Sequence, residues 1–204
     1  MNYIDQFFSE LDKKINKPIK VILTGAMAGI ILGNIRPSMD IDFEIEFSPA
    51  DDISEVSVLE IIEAIRETEK KVNLPAQFSE SIQGWSQISF LNYREASTLY
   101  KKIGKIEVRL LSPEHWSIGK LARYLELDEM DLVFVLGRQK IDQKKLVTLW
   151  GEALKKSIRS DKSREFRNHV ISFLKNNGKK IWGIKFNFEK AVEQFKISAG
   201  INLK

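Results

Sequence analysis

The chain predicts an α/β (α+β) fold: a small mixed sheet with packed helices, followed by a helical C-terminal domain. Two patterns carry that reading. Residues 19–47 run strand, turn, helix, strand, with strict two-residue alternation in the last piece, whereas beyond Pro113 apolar residues recur only at helical spacing. The expected division is 1–112 and 113–204.

Ile4, Phe7, Phe8, Leu11 and Ile15 fall on one helical face, so residues 2–16 are expected as a helix ended by Lys17-Pro18. Ile19 to Leu23 is a short β-rich run turned by Thr24-Gly25, and Ala26 to Leu32 suits a small-residue helix ending near Gly33-Asn34. From Met39 to Phe47, Ile41, Phe43, Ile45 and Phe47 share one face of a strand and Asp40, Asp42, Glu44 and Glu46 share the other, predicting one core face and one acidic face. Ser48 to Asp52 reads as a loop, Ser54 to Val72 as a helix, and Asn73-Leu74-Pro75 as its stop. Phe78, Ile82, Trp85, Ile88 and Phe90 suggest one or two short strands around Gly84. Residues 96–101 and 105–111 form a hairpin turned at Ile103-Gly104, and Ser112-Pro113-Glu114 starts a helix with proline in its first turn. Helices then follow at about 113–126, 128–138, 142–157, 162–176 and 187–197, with breaks at Gly137, at Asn176-Asn177-Gly178 and at Gly200.

Composition narrows the function. A chain of 204 residues with 43% hydrophobic and 29% charged residues is an ordinary globular sequence, which excludes disordered and fibrous classes. It contains no cysteine, so a thiolate zinc site, a cysteine nucleophile and a disulfide framework are all excluded, and a reducing, cytoplasmic setting is expected. The first sixteen residues show no export pattern, and no apolar run reaches membrane-spanning length. Residues 151–204 carry thirteen Lys or Arg against five Asp or Glu, a surplus of eight, while residues 1–150 carry nineteen against twenty-three. That basic end is either a solvated set of helices or a surface for a polyanion such as RNA.

The chemistry concentrates at residues 21–42. Asp40 and Asp42 are two apart, so on a strand both carboxylates project to one side and can converge on a hard divalent cation, Mg2+ or Mn2+. Gly25, at the preceding turn, permits a close backbone approach to phosphate. Glu107, on a strand expected beside this one, is the candidate third acid, as metal ligand and as base for an acceptor hydroxyl. The alternative for Glu107 is a cross-strand ion pair. Other motifs carry less: no Gly-Lys-Ser/Thr follows the glycines, His115 and His169 lack metal-ligand spacing, and Trp116, Trp150 and Trp182 sit among aliphatic residues as core side chains do.

In order, Gly25, Arg36, Ser38, Asp40 and Asp42 resemble the nucleotidyltransferase superfamily of the polymerase-beta type, and more closely its abortive-infection, toxin-like branch. A second block, a helical Lys followed by an acidic pair, is similar at Lys120, Asp128 and Asp131. The likeness spans about residues 19–146. It implies a sheet of nucleotidyltransferase type, with a nucleoside triphosphate as substrate and Mg2+ as the metal. The product would be a nucleoside monophosphate placed on an RNA acceptor, such as tRNA, or on a protein, in a toxin–antitoxin setting with a possible antitoxin partner. It further implies that Asp40 and Asp42 hold metal and phosphates, that Lys120 neutralises phosphate charge, and that Asp128 or Asp131 orients that lysine or completes the site. Arg36 and Ser38 would lie at the nucleotide, Arg36 either on phosphate or anchoring its own loop. Ala26 stands where the best-known members carry serine, and the alternative is a non-catalytic module of the same fold that binds nucleic acid or a protein partner.

Overall fold

The computed structural model describes residues 2–34, 36–46 and 55–201, and within them the protein is mixed α/β with one five-stranded sheet. The loop expected over Ser48 to Asp52, the helix start at Ser54 and the core position of Phe47 lie outside the described residues. Two compact units divide the chain: residues 1–31, 35–82 and 94–111 form one, and residues 32–34, 83–93 and 112–204 the other. Relative to a single cut at residue 112, two short internal segments therefore belong with the helices.

The first unit contains, in chain order, α1 (Tyr3–Asp12), β1 (Ile19–Thr24), α2 (Gly25–Ile31), β2 (Ile41–Glu46), α3 (Glu55–Val72), β3 (Ala76–Ser79), the one-turn α4 (Tyr93–Ala96) from Arg94 onward, β4 (Thr98–Ile103) and β5 (Ile106–Leu110). The strand order is β3-β2-β1-β5-β4. β1 runs antiparallel to β2 and parallel to β5, β2 runs parallel to β3, and β4 closes the far edge antiparallel to β5. Helix α1 forms because Asn2 caps it, its side chain accepting from the Asp5 amide at 2.8 Å, and because its apolar stripe has somewhere to go. Phe7 and Phe8 meet Phe43 edge-on at 6.0 and 5.5 Å, and Phe43 stacks on Phe78 at 5.8 Å. Fully burying each such ring stabilises the unit by about 1.5–3 kcal/mol.

The other face of the sheet departs from the expected acid face. Ile22 and Glu44 on it are both fully buried. Glu44 accepts from the Arg94 Nε at 2.6 Å and from the Ile82 amide at 2.7 Å, while Glu46 near the strand's end pairs with Lys20 at 3.0 Å. The middle of this face is covered, and only its ends remain polar and partly open.

The second unit carries α5 (Pro113–Arg123), α6 (Glu126–Gln139), α7 (Gln143–Lys156), α8 (Asp161–Trp182) and α9 (Phe188–Ser198). Helix α5 begins where expected, with Ser112 accepting from the His115 amide, but ends at Arg123 because Tyr124 turns left-handed at φ 52°. Its core is aromatic: Trp150 donates to Ser117 Oγ at 2.8 Å and packs edge-on against Phe173 at 6.0 Å. Two expected breaks are absent. Helix α6 continues past Gly137, and α8 runs through Asn176-Asn177-Gly178 to Trp182. Gly178 serves packing there, since a Cβ on it would lie 2.2 Å from the Phe186 ring, and Asn177 donates to Glu129 Oε1 at 2.5 Å. Of the one or two short strands expected around Gly84, β3 is present at Ala76–Ser79, whereas Gly84 itself lies in a short 3-10 turn, Ile82–Trp85. The Gln83 side chain braces the loop that follows it, donating to the Ile88 carbonyl at 3.0 Å and accepting from the Phe90 amide at 2.8 Å.

Candidate functional site

Gly25 and Asp42 come together in the first unit, with Asp40 two residues before Asp42. Register places Asp42 on β2 directly opposite Thr24, the last residue of β1, so the carboxylate stands beside the turn into α2. The approach is close: an ideal Cβ on Gly25 would lie 1.7 Å from Asp42 Oδ2. Gly25 also has φ +66°, so both its backbone angle and its missing side chain are required at this point. The freedom expected to admit a phosphate is thus used, in this structure, by the Asp42 carboxylate.

Asp40 sits at the bend just before β2, two residues from Asp42 and partly exposed. Ser38 Oγ lies 3.1 Å from its Oδ1 and 3.0 Å from its main-chain carbonyl, and Gln77 Nε2 donates to its Oδ2 at 3.2 Å. These neutral partners orient the carboxylate. Gln77 faces Asp42 across the parallel β2–β3 pair, a relationship invisible without the strand pairing. Arg36 and Ser38 both lie on the stretch leading into β2 and are partly exposed. As a donor set, two carboxylates beside the Ser38 hydroxyl suit a hard cation such as Mg2+, and Asp40 and Asp42 would hold it, while Gln77 presents its amide nitrogen and orients Asp40.

Glu107 does not join them, and its strand is not beside the carboxylate strand as expected, because β1 lies between β5 and β2. On β5 it is in register with Lys20, which in turn faces Glu46, four positions along β1 from Thr24 and Asp42. That offset is about 13 Å along the sheet. Glu107 instead accepts from Arg109 Nη1 at 2.9 Å, and Arg109 also donates to the Ser97 hydroxyl and carbonyl at 2.8 and 2.5 Å. Continuing the register by one places Leu111, not an acid, beside Thr24. Among the described residues no group of three or more His, Asp or Glu side chains is placed to hold one metal ion.

Lys120, Asp128 and Asp131 come together in the second unit. Lys120 is 5% exposed, Asp131 1% and Asp128 0%, and the ammonium donates to Asp131 Oδ2 at 2.8 Å and to Asp128 Oδ1 at 3.1 Å. It also lies 5.3 Å from the centre of the Trp116 ring. Asp128 belongs to the first turn of α6, accepts the Leu125 amide at 3.1 Å, and takes a two-pronged bond from Arg123, with Nε and Nη2 each at 2.7 Å. Burial alone would push the Asp128 carboxyl up, but the bonds from Arg123 and Lys120 outweigh it and hold it below the usual carboxylate range. Asn34 Nδ2 completes the group by donating to Asp131 Oδ1 at 2.6 Å. Two cations and two carboxylates cancel, so the Lys120 charge expected on phosphate is matched inside the protein.

Arg123 and Asn34 carry as much of this cluster as the residues named from sequence. Arg123 follows Lys120 by three residues on α5, a spacing that places both on one helix face and could have been read. Asn34 is ninety-seven residues from Asp131, and nothing local announces it. His115 is a helix-start residue, its Nδ1 2.7 Å from Ser112 Oγ, and His169 Nδ1 lies 2.8 Å from the Leu121 carbonyl.

Compared with protein-family models, with curated proteins and with solved structures, the chain matches none of them. No helix among the described residues is long and apolar enough to cross a membrane.

Proposed function

We propose that the chain is a cytoplasmic nucleotidyltransferase-like enzyme of the polymerase-beta type, in its toxin-like branch, and that its site is the Gly25–Asp40–Asp42 corner of the first unit. One observation carries the reading: two carboxylates two residues apart, one at the bend before a strand and one on it, the latter pressed against a glycine at the adjoining strand-to-helix turn. In the reaction an acceptor hydroxyl on RNA or protein bonds to the α-phosphorus of a nucleoside triphosphate, the bond to the β-phosphate oxygen breaks, the hydroxyl proton goes to a base or water, and pyrophosphate leaves. A bound Mg2+ would supply charge neutralisation at the phosphates. The chain's part is to fix Asp40 through Ser38 and Gln77, and Asp42 against Gly25, so that both oxygens are set before substrate arrives.

A second reading rests on the Lys120 cluster. With Lys120 held by two buried aspartates and Glu107 paired to Arg109, a non-catalytic module of the same fold accounts for those residues with no substrate at all.

Incubation with each labelled triphosphate, Mg2+ and total RNA or cell lysate separates the two. Label on RNA or protein that disappears in Asp40→Asn and Asp42→Asn supports the enzyme. No transfer with any of the four triphosphates, together with no thermal stabilisation by Mg2+ and a triphosphate, supports the module.

A further inference from the structure

Part of the basic surplus of the C-terminal residues, three of the eight charges, lines a cleft of about 950 Å³ between the end of α7, the start of α8 and the end of α9. Lys155, Arg159, Arg164 and Arg167 line it, against the single carboxylate of Asp161, which leaves a net of three positive charges, four minus one. Asp161 pairs with Arg164 at 3.0 Å, but those side chains are 83% and 68% exposed, so solvent screens the pair and it removes little of the field. Among the described residues no ion pair involves Lys155, Arg159 or Arg167.

We propose that this cleft binds the phosphate backbone of a nucleic-acid strand, whether or not the first unit turns over a nucleotide. Three of the four cations are arginines, whose planar forks match phosphate oxygens better than an ammonium does. Cations spread around an opening of this size suit successive phosphates of a strand better than one small anion. No aromatic side chain lines the cleft, which gives bases nothing to stack on and a protein partner no buried anchor. Recognition by such a surface is electrostatic and independent of base sequence.

The test is fluorescence anisotropy of the full chain with labelled twenty-nucleotide single-stranded RNA and DNA, without triphosphate, across a salt series. Four phosphate contacts give a slope of log K against log salt of about −2.8 for single strands. Arg159→Gln with Arg167→Gln should halve that slope and weaken binding about tenfold at physiological salt. Lys175→Gln with Lys179→Gln removes the same charge from exposed positions farther along α8 and should change binding by less than about twofold. Asp40→Asn should leave binding unaltered, which separates this inference from the catalytic one. The proposal is overturned if wild type fails to bind at low salt, if the Arg159/Arg167 variant binds like wild type while melting normally, or if the Lys175/Lys179 control loses as much. Displacement by polyglutamate as effective as by unlabelled RNA would instead assign the cleft to an acidic protein, and a preference for RNA over DNA above tenfold would overturn backbone-only recognition.

Discussion

Lys120 and Asp131 meet at 2.8 Å with both side chains almost wholly out of water, and the same ammonium reaches Asp128. Such a group is expensive to break from one side, because the partner's charge stays behind. Lys120→Met should therefore cost about 3–5 kcal/mol in urea unfolding. Lys120→Met combined with Asp131→Leu should be closer to neutral than either single change. A Lys120→Met protein as stable as wild type would show that the cluster is not an energetic unit.

The contact between Gly25 and Asp42 predicts a coupled pair of substitutions. Gly25→Ala meets two penalties, the positive φ and the collision with the carboxylate. In an Asp42→Gly background only the backbone penalty remains, about 1–2 kcal/mol. Chemical denaturation of the two singles and the double should give a coupling energy of at least about 1 kcal/mol. Additive effects would mean that the close approach is not maintained in solution.

Glu44 and Arg94 should behave asymmetrically. Arg94→Met takes the guanidinium from a fully buried carboxylate that also accepts the Ile82 amide, at a cost of about 3 kcal/mol, the lower end for buried pairs because Arg94 is 42% exposed. Glu44→Gln keeps a hydrogen-bonding oxygen, and Arg94, partly exposed, still donates to the Glu80 carbonyl, so its melting temperature should fall less.

Two groups shape successive stretches of the acid limb of the stability–pH curve. His115 is held below its ordinary value of 6.5 by burial, with Glu114 opposing, so its folded pKa lies under its unfolded one. Its contribution is complete above about pH 6.5 and is lost as pH falls through the lower folded value. His115→Gln should flatten stability just below neutrality. Asp128 has the same sign at lower pH: held down despite burial, it stabilises above its unfolded value near 4 and ceases to as pH falls through the folded one. Asp128→Asn, compared with wild type between about pH 5 and pH 3, should lose that part of the slope.

The parts of the fold that follow from local period were legible. Alternation over Ile41 to Glu46 identifies β2, and the helical spacing of Phe7, Phe8 and Leu11 identifies α1. The proximity of Gly25 to Asp42 was implied by strand-turn-helix-strand order, but the contact itself depends on the antiparallel pairing of β1 with β2. Register was the missing quantity for Glu107. Alternation assigns its face correctly and says nothing about its position along the sheet, where four residues separate it from Asp42. Glu44 was misread for a related reason: alternation marks a second face, and only the chain that folds over it decides whether water reaches it. Asn177-Gly178 looks like a helix stop because both residues are poor helix formers, yet a tertiary contact with Phe186 favours glycine there by more than its propensity disfavours it.

Glu44 also has a topological consequence. Ile82 and Arg94 are the last and first residues of the first unit on either side of the excursion over residues 83–93, and both attach to the same carboxylate, 38 and 50 residues from it in sequence. The exit and the return of the chain are thereby tied at one point. The entropy lost in closing that excursion is met within the sheet unit itself, and because closure entropy rises only with the logarithm of length, residues 83–93 could lengthen greatly at little thermodynamic cost to the strands they interrupt.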